Sequence, residues 1–287
     1  MLQPFKRILF GFAFSPSLGA NLAEAIRLSQ FFGSELFLVH VGEKNEEKEQ
    51  QLQAHLETNK GQYSSGVHVH WKLGNPVGSL LEAIEEYQID LLLIGALKRE
   101  NVLRYYTGSI ARKITRKAPC SVLLISNPSI ERKACQHIVV NGLESPKTKQ
   151  TIETAFEVSQ ALRCERITLV EEISPSEVKV SVEDDRSLRK ANINKERLKR
   201  REDSRVQTLM EKLQSTLKKN IQWKTQSIFG SRGYSIGHYA RVVRADLLIM
   251  NAENRSSFFR RLIPRDLEHI LAELPTDVLI VNTQSHE

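Results

Sequence analysis

The most constraining feature of this 287-residue chain is an internal repeat, in which one pattern of apolar runs and amphipathic segments occurs twice. Ser15-Pro16 recurs as Ser145-Pro146, 130 residues later, and Asp90-Leu91-Leu92 recurs as Asp246-Leu247-Leu248, 156 residues later. A chain of this length has room for two domains. The repeat therefore predicts two domains with the same fold.

The apolar runs predict the fold class. In the first repeat they begin at Ile8, Leu36, Val67, Leu91 and Val122, and segments with helical spacing separate them. Apolar strands that alternate with helices are typical of a parallel sheet covered on both faces. We therefore predict an α/β protein with a first repeat at residues 1–128 and a second at 134–287, separated by a short boundary near Asn127–Arg132.

The offset between the repeats grows from 130 to 156 residues along the chain. This difference predicts an insertion of about 26 residues in the second repeat, within residues 174–220. Residues 186–205 in it carry nine Arg or Lys against three Asp or Glu, which is most of the chain's net charge of +7. Apolar residues from Val206 to Leu217 then follow at helical spacing and predict a helix that packs on the sheet. The basic part is either a solvated extension of this helix or a mobile loop.

The same basic segment, 186–205, is a candidate for contact with a partner. It contains no Phe, Trp or Tyr, which argues against nucleic acid because aromatic stacking is missing. An acidic protein and an anionic membrane surface remain as alternatives.

Signatures of common catalytic and metal sites are missing from the sequence. It has no GxxxxGK[ST] phosphate loop, no GxGxxG after the first strand, no GxSxG elbow and no HExxH helix. His68 and His70 share a face of one predicted strand, but two histidines alone are a weak zinc signal. We therefore expect neither an enzyme nor a metal site.

The cysteines and the hydropathy indicate a cytoplasmic protein. Cys120, Cys135 and Cys164 have no CxxC spacing, and a sparse, odd set fits a reducing compartment, where buried or half-buried thiols are expected. No uncharged apolar run reaches the roughly 18 residues that a membrane span needs.

A glycine-containing loop follows the fourth predicted strand. It begins at Gly95, passes Lys98 and ends at Gly108-Ser109, where a helix begins. Glycine allows a ligand to approach the backbone closely, and the free N–H groups of a helix N-terminus attract anions. A phosphate site and a purely structural turn with a helix cap explain this loop equally well.

The residues of this loop and its surroundings resemble a known family. Residues 73–125 and the segment Arg7–Ala25 are similar to a universal stress protein (UspA) domain. The phosphate signature of that family is G-x2-G-x9-G-[ST], and this chain has Gly95-x2-Lys98-x9-Gly108-Ser109. The second repeat resembles the same domain more distantly, so the resemblance covers nearly the whole chain.

The resemblance implies a doubly wound, Rossmann-like parallel sheet with strand order 3-2-1-4-5 in each repeat. It also implies pairing of the repeats through their last strands, as an intramolecular pseudo-dimer, with Val122–Ile125 beside Val278–Val281. Such pairing removes two exposed sheet edges.

For the nucleotide site, the resemblance implies contacts at Ala13, Val41, Gly95, Lys98, Gly108 and Ser109 in the first repeat. ATP-binding members carry an Asp after the first strand, where this chain has Ala13 and, in the second repeat, Leu143. Lys98 replaces the second glycine of the signature. The second repeat has Asn251, Asn254, Pro264 and Arg265 in place of the signature, and Pro264 removes a backbone donor.

These departures predict a non-catalytic binding or regulatory protein of the stress response, with no cofactor or only weakly bound ATP in the first repeat. The alternative is an ATP-binding, slowly hydrolysing protein that uses the first-repeat loop. A third hypothesis is a scaffold whose basic segment recruits a protein partner.

Overall fold

Every apolar run of the sequence forms a strand of one ten-stranded sheet. The computed structural model describes residues 3–59, 66–95, 97–98, 105–106, 109–251 and 265–282. The elements of the first repeat are β1 (Arg7–Phe12), α1 (Leu18–Phe32), β2 (Glu35–Val41), α2 (Glu46–Thr58), β3 (Val67–Lys72), α3 (Pro76–Glu86), β4 (Leu91–Gly95), β5 (Leu97–Lys98), β6 (Tyr105–Tyr106), α4 (Ser109–Lys117) and β7 (Ser121–Ile125).

The second repeat contains the same succession with additional helices. Its elements are β8 (His137–Asn141), α5 (Thr148–Leu162), β9 (Arg166–Ile173), α6 (Pro175–Val178), α7 (Asp185–Lys212), α8 (Ser215–Lys218), β10 (Gln222–Phe229), α9 (Tyr234–Val242), β11 (Leu247–Asn251), α10 (Arg265–Ala272) and β12 (Asp277–Val281).

The strand order is β10-β9-β8-β11-β12-β7-β4-β1-β2-β3. Within the first repeat this is order 3-2-1-4-5 with parallel pairing, which confirms the predicted fold class. The second repeat has the same order, also with parallel pairing. In each repeat the winding reverses beside the first strand, and this is the point where ligands bind in open α/β sheets.

The last strands of the two repeats lie side by side. β12 pairs with β7 antiparallel, with Val278, Leu279 and Ile280 opposite Leu124, Leu123 and Val122. At one end Ser126 donates from its N–H (2.7 Å) and its hydroxyl (2.8 Å) to the carboxylate of Asp277. Burial raises the pKa of Asp277 to about 6. The pairing converts two five-stranded sheets into one continuous sheet.

Two apolar layers cover the sheet. One face carries α1, α2, α5 and α7, and the other carries α3, α4, α9 and α10. Each layer draws buried residues from both repeats, so the apolar core continues across the β7–β12 junction. Apolar burial of this kind is the main stabilising contribution to the fold.

The inserted segment forms one long helix instead of a mobile loop. Helix α7 runs from Asp185 to Lys212, and the side chain of the preceding Asp184 caps it by accepting a hydrogen bond from the N–H of Ser187 (2.7 Å). The predicted apolar helix is interrupted at Leu213, which has extended backbone, and Leu217 belongs to the short helix α8. Val206 and Met210 on the last turns of α7 are buried in the core. The basic residues therefore lie on the helical extension of a packed helix.

None of the helices in the described part of the chain combines the length and the apolar character needed to cross a bilayer.

Candidate functional site

Three of the predicted site residues lie at the carboxyl ends of adjacent strands. Ala13 directly follows β1 and is exposed, Val41 ends β2 and is half-buried, and Gly95 ends β4. Because β1 pairs with both β2 and β4, these positions share one edge of the sheet at the reversal of the winding. The structure describes only the backbone of Lys98, in β5, and of Ser109, the first residue of α4; Gly108 lies outside the described residues.

The loop after β4 contains a short hairpin, which the sequence does not predict. Leu97 and Lys98 pair antiparallel with Tyr106 and Tyr105. The backbone of Lys98 is therefore part of a two-stranded ladder.

Gly95 lies against the side chain of Asn21 on α1. A Cβ atom on Gly95 would lie 2.6 Å from Oδ1 of Asn21, so a larger residue would require the Asn21 side chain to move. The Asn21 amide donates to the carbonyl of Ser17 (2.9 Å). Its buried Oδ1 has no hydrogen-bond partner among the described residues. The structural explanation of Gly95, left open by the sequence, is therefore supported by a specific neighbour.

An aromatic cluster fills the strand ends on the α1 face. It consists of Phe12, Phe14, His40 and Trp71, whose ring centroids lie 4.9–5.9 Å from those of their neighbours. Nδ1 of His40 is 3.0 Å from the carbonyl oxygen of Phe12, which fixes the imidazole. The cluster joins β1, β2 and β3 and makes these strand ends largely aromatic.

On the other face, an open depression of about 510 Å³ lies between α3 and α4. Its lining includes Asn75, Ile110, Lys113 and Lys117. Asn75 accepts hydrogen bonds from the N–H groups of Val77 (3.0 Å) and Gly78 (3.4 Å), so its side chain already caps α3. The N-terminus of α3 therefore offers fewer free donors to an anion.

In the second repeat an arginine of the insertion covers the strand ends. Arg205 of α7 donates from Nη2 to the carbonyl oxygen of Gly142, directly after β8. Its Nε donates to Glu202 Oε2 (2.9 Å), and Nη2 lies 3.9 Å from Glu171 Oε1 on β9. Arg205 thus connects α7 to β8 and β9 at the position that corresponds to the candidate site of the first repeat.

Glu171 is a buried carboxyl, only 1% exposed, within this arrangement. Ser227 of β10 donates to its Oε2 at 3.4 Å, and its Oε1 has no hydrogen-bond partner within the described part of the chain. Burial raises the pKa of Glu171 to about 7, against the opposing effect of Arg205. The pKa of the neighbouring Glu202 shifts in the opposite direction. Burial opposes the ionisation of Glu202, but hydrogen bonds from Arg201 and Arg205 hold its pKa below its usual value.

Glu172 occupies a helix N-terminus in the second repeat. Its carboxylate accepts hydrogen bonds from the N–H groups of Gly233 (3.0 Å) and Ile236 (2.8 Å) at the start of α9. Free N–H groups at a helix start attract anions, so the protein here supplies its own carboxylate. Sequence reasoning missed Glu171, Glu172 and Arg205. The signal was present, because two adjacent glutamates interrupt the apolar run of β9.

We expect Glu171→Gln to remove the loss of folding stability that ionisation of Glu171 causes as the pH rises. The folded state raises the pKa of Glu171 from 4.5 to about 7, so its contribution is present below pH 4.5 and is lost as the pH rises to 7. The variant should match the wild type at pH 4.5 and exceed it by about 2–3 kcal/mol at pH 8. Urea unfolding at both pH values measures this, with Glu165→Gln at an exposed position as control. An equal difference at both pH values would contradict the assignment.

Comparison with known proteins agrees with this architecture. Residues 4–126 match the sequence profile of the universal stress protein family. The first repeat thus matches a universal stress protein domain. A universal stress protein of Methanocaldococcus jannaschii is 29% identical over 68 residues, a match that covers 23% of this chain and 40% of the relative. The chain thus spans less than half of that relative.

Two solved structures share the fold over almost the entire chain. A universal stress protein from Archaeoglobus fulgidus has a TM-score of 0.66 and 12% identity, covering 100% of this chain and 99% of its own. A protein of unknown function from Pseudomonas aeruginosa has a TM-score of 0.72 and 13% identity, covering 98% of this chain and 93% of its own. At these identities the likeness concerns the fold alone. It extends the architecture of the universal stress protein domain to the second repeat.

Proposed function

We propose that this chain is a stress-related binding module that works without catalysis, with a closed site in the second repeat and a degenerate nucleotide site in the first. The observation that carries this proposal is the contact of Arg205 with Gly142 and Glu171, which covers the strand ends of the second repeat. In addition, the Glu172 carboxylate accepts hydrogen bonds from N–H groups at the start of α9. Polar groups that already have partners gain little from a ligand.

The first repeat supports the proposal in a different way. Ala13 supplies no carboxylate at the end of β1, and Asn21 provides a structural reason for Gly95. The aromatic cluster occupies the neighbouring strand ends. Val41, Lys98, Gly108 and Ser109 remain candidate contacts for weakly bound ATP, which is the alternative function.

Nucleotide content tests this proposal. We expect the protein, purified without added nucleotide, to release no stoichiometric ATP, ADP or AMP on denaturation, as measured by ion-exchange chromatography with mass spectrometry. Stoichiometric ATP with slow release of phosphate would favour the alternative, an ATP-binding and hydrolysing protein.

Lys98→Gly distinguishes an abandoned first-repeat site from a rewired one. We expect the variant to gain affinity for ATP, because it restores the glycine of the signature, which allows a ligand to approach the backbone closely. If Lys98 instead contacts phosphate, the variant loses a charge-assisted hydrogen bond of about 1.5–3 kcal/mol, and affinity falls roughly 10- to 150-fold. Lys98→Ala is the matched control, because it removes the charge and keeps a Cβ atom.

A partner-binding role of α7 is favoured by one further observation. Arg186, Arg189, Lys190, Arg197 and Arg200 are exposed and recur at helical spacing along one face. Ile193, which is 62% exposed, lies among them, and the face extends over about 21 Å with Glu196 as the acidic residue at its border. We propose that this basic face binds an acidic protein segment.

A model acidic peptide tests the basic face. We expect a fluorescent polyglutamate peptide to bind the protein at low salt, and Arg189→Glu combined with Arg197→Glu to abolish the anisotropy change, because like charges then face each other. Glu165→Lys, at an exposed position outside α7, is the charge-changing control. Unchanged binding of the double variant would contradict the proposal.

A further inference from the structure

Two cysteines lie next to each other where the interdomain linker enters the second repeat. The register of β8 and β9 pairs His137 with Arg166 and Ile138 with Ile167. Cys135 precedes His137 by two residues, and Cys164 precedes Arg166 by two residues. Continued by two residues, the same register places the two cysteines side by side, at the spacing of adjacent strands, about 4.8 Å.

The side chains of this pair point to the same face. Cys164 is buried in the apolar layer that contains α1 and α5, and the half-buried Cys135 packs against that layer. The Cys164 thiol donates to the carbonyl oxygen of Arg166 at 3.6 Å. A disulfide needs Cα atoms about 4.4–6.8 Å apart, and adjacent strand positions fall in this range.

The first repeat has a related contact at the corresponding place. Ser34, which stands 130 residues before Cys164, donates to the carbonyl oxygen of Phe5 (2.7 Å), which stands 130 residues before Cys135. Ser34 thus joins the start of β2 to the segment before β1, and the register of β8 and β9 places Cys164 beside the corresponding segment. In the second repeat, both contacting residues are cysteines.

Each cysteine of the pair lines a recess of the protein. The buried Cys164 borders a surface depression of about 400 Å³ that is also lined by Arg163 and Lys219. The half-buried Cys135 borders a cavity of about 190 Å³ between α1, α5 and the linker. The neighbouring Cys135 thiol lowers the pKa of the Cys164 thiol, and the Cys164 thiol raises the pKa of Cys135. Cys164 is therefore the better nucleophile of the two.

We propose that Cys135 and Cys164 form a reversible disulfide, which is a redox modification site at the junction of linker and second repeat. The oxidant is a peroxide. The Cys164 thiolate attacks the O–O bond, which breaks, and Cys164 becomes a sulfenic acid while water leaves. The Cys135 sulfur then attacks the Cys164 sulfur and a second water leaves. Two thiols lose two electrons in total, and the peroxide takes them up.

The disulfide has a defined structural consequence. It fastens the last linker residues to the segment between α5 and β9, which closes a loop that contains the whole of β8 and α5. Closing a loop of this length restricts the unfolded chain. Oxidation should therefore raise the midpoint of thermal unfolding by several degrees, and reduction by a dithiol should reverse the increase.

Thiol mapping of the full-length protein tests the proposal. The native protein is treated with hydrogen peroxide, denatured, alkylated and digested. We expect a peptide pair cross-linked between Cys135 and Cys164, alkylation of Cys120 alone, and full recovery of three alkylated cysteines after reduction. Cys120 is the internal control, because it lies in the apolar layer on the opposite face of the sheet.

Single variants separate the disulfide from general stabilisation. Cys135→Ser and Cys164→Ser should each abolish the cross-link and the thermal shift, whereas Cys120→Ala should retain both. The first repeat has Ser34 at the position that corresponds to Cys164, so a serine fits at that place in the fold. Circular dichroism of the reduced variants checks that they fold. Three alkylated cysteines after peroxide treatment of the wild type, or a cross-link that includes Cys120, would overturn the proposal.

Discussion

Replacing Arg205 with leucine is expected to destabilise the chain by about 3–5 kcal/mol at pH 8. The variant leaves the buried carboxylates of Glu171 and Glu202 without this guanidinium and removes a donor from the Gly142 carbonyl. Breaking a buried ion pair from one side is costly because the remaining charge cannot return to water. Urea unfolding measured by circular dichroism gives the change in free energy.

The pH dependence makes this prediction specific. At pH 5 Glu171 is largely protonated, because burial raises its pKa to about 7, so the cost of Arg205→Leu should be smaller than at pH 8. Combining Arg205→Leu with Glu171→Gln should recover part of the loss. Arg200→Leu on the exposed face of α7 is the matched control and should change stability by about 0.5 kcal/mol or less. Equal costs for Arg205→Leu and Arg200→Leu would refute the role of Arg205.

Phe156→Ala should cost about 3–5 kcal/mol and affect both repeats. Phe156 on α5 is 0% exposed, and it belongs to an apolar layer that also contains residues of α1 and α2. Its removal leaves a cavity in a core that continues across the β7–β12 junction. We expect one cooperative urea transition that shifts as a whole. Circular dichroism follows the whole chain, and tryptophan fluorescence in a Trp223→Phe background follows Trp71 in the first repeat.

Phe229→Ala provides the control for the loss of an aromatic ring. Phe229 is 39% exposed at the end of β10, so its replacement should cost about 1 kcal/mol or less. A Phe156→Ala variant in which the first repeat unfolds at the wild-type urea concentration would contradict a shared core.

The fold could be predicted because its signals are local and repeated. Runs such as Leu91–Gly95 are apolar on both faces, which only a covered parallel sheet satisfies, and the repeat offsets supplied the second copy. The neighbouring positions of Val122–Ile125 and Val278–Val281 followed from the resemblance and agree with the observed register. The domain limits 1–128 and 134–287 remain a prediction.

The course of the insertion could not be read from periodicity alone. Apolar spacing from Val206 to Leu217 predicted one helix, but Leu213 adopts extended backbone and ends α7. The basic residues before Val206 have high helix propensity, and the cap at Asp184 fixes where the helix begins. Charge alone does not distinguish a solvated helix from a loop, so the sequence is compatible with both hypotheses for this segment.

The candidate site was only partly accessible to sequence reasoning. Signature spacing located Gly95 and the start of α4 at Ser109, but it could not reveal that Asn21 lies against Gly95. Likewise the closure of the second repeat depends on Arg205, which stands 63 residues from its partner Gly142. Contacts over such distances arise from the packing of α7 on the sheet, which a linear pattern does not encode.

The central claim, that this universal stress protein fold serves here as a binding module without a competent ATP site, is tested most directly by calorimetric titration of the full-length protein with ATP and Mg²⁺. The account predicts no saturable heat at micromolar ATP and, at most, weak binding in the millimolar range that Gly108→Val abolishes. Binding with a micromolar dissociation constant would contradict it, and persistence of that binding in Gly108→Val would assign the site to the second repeat.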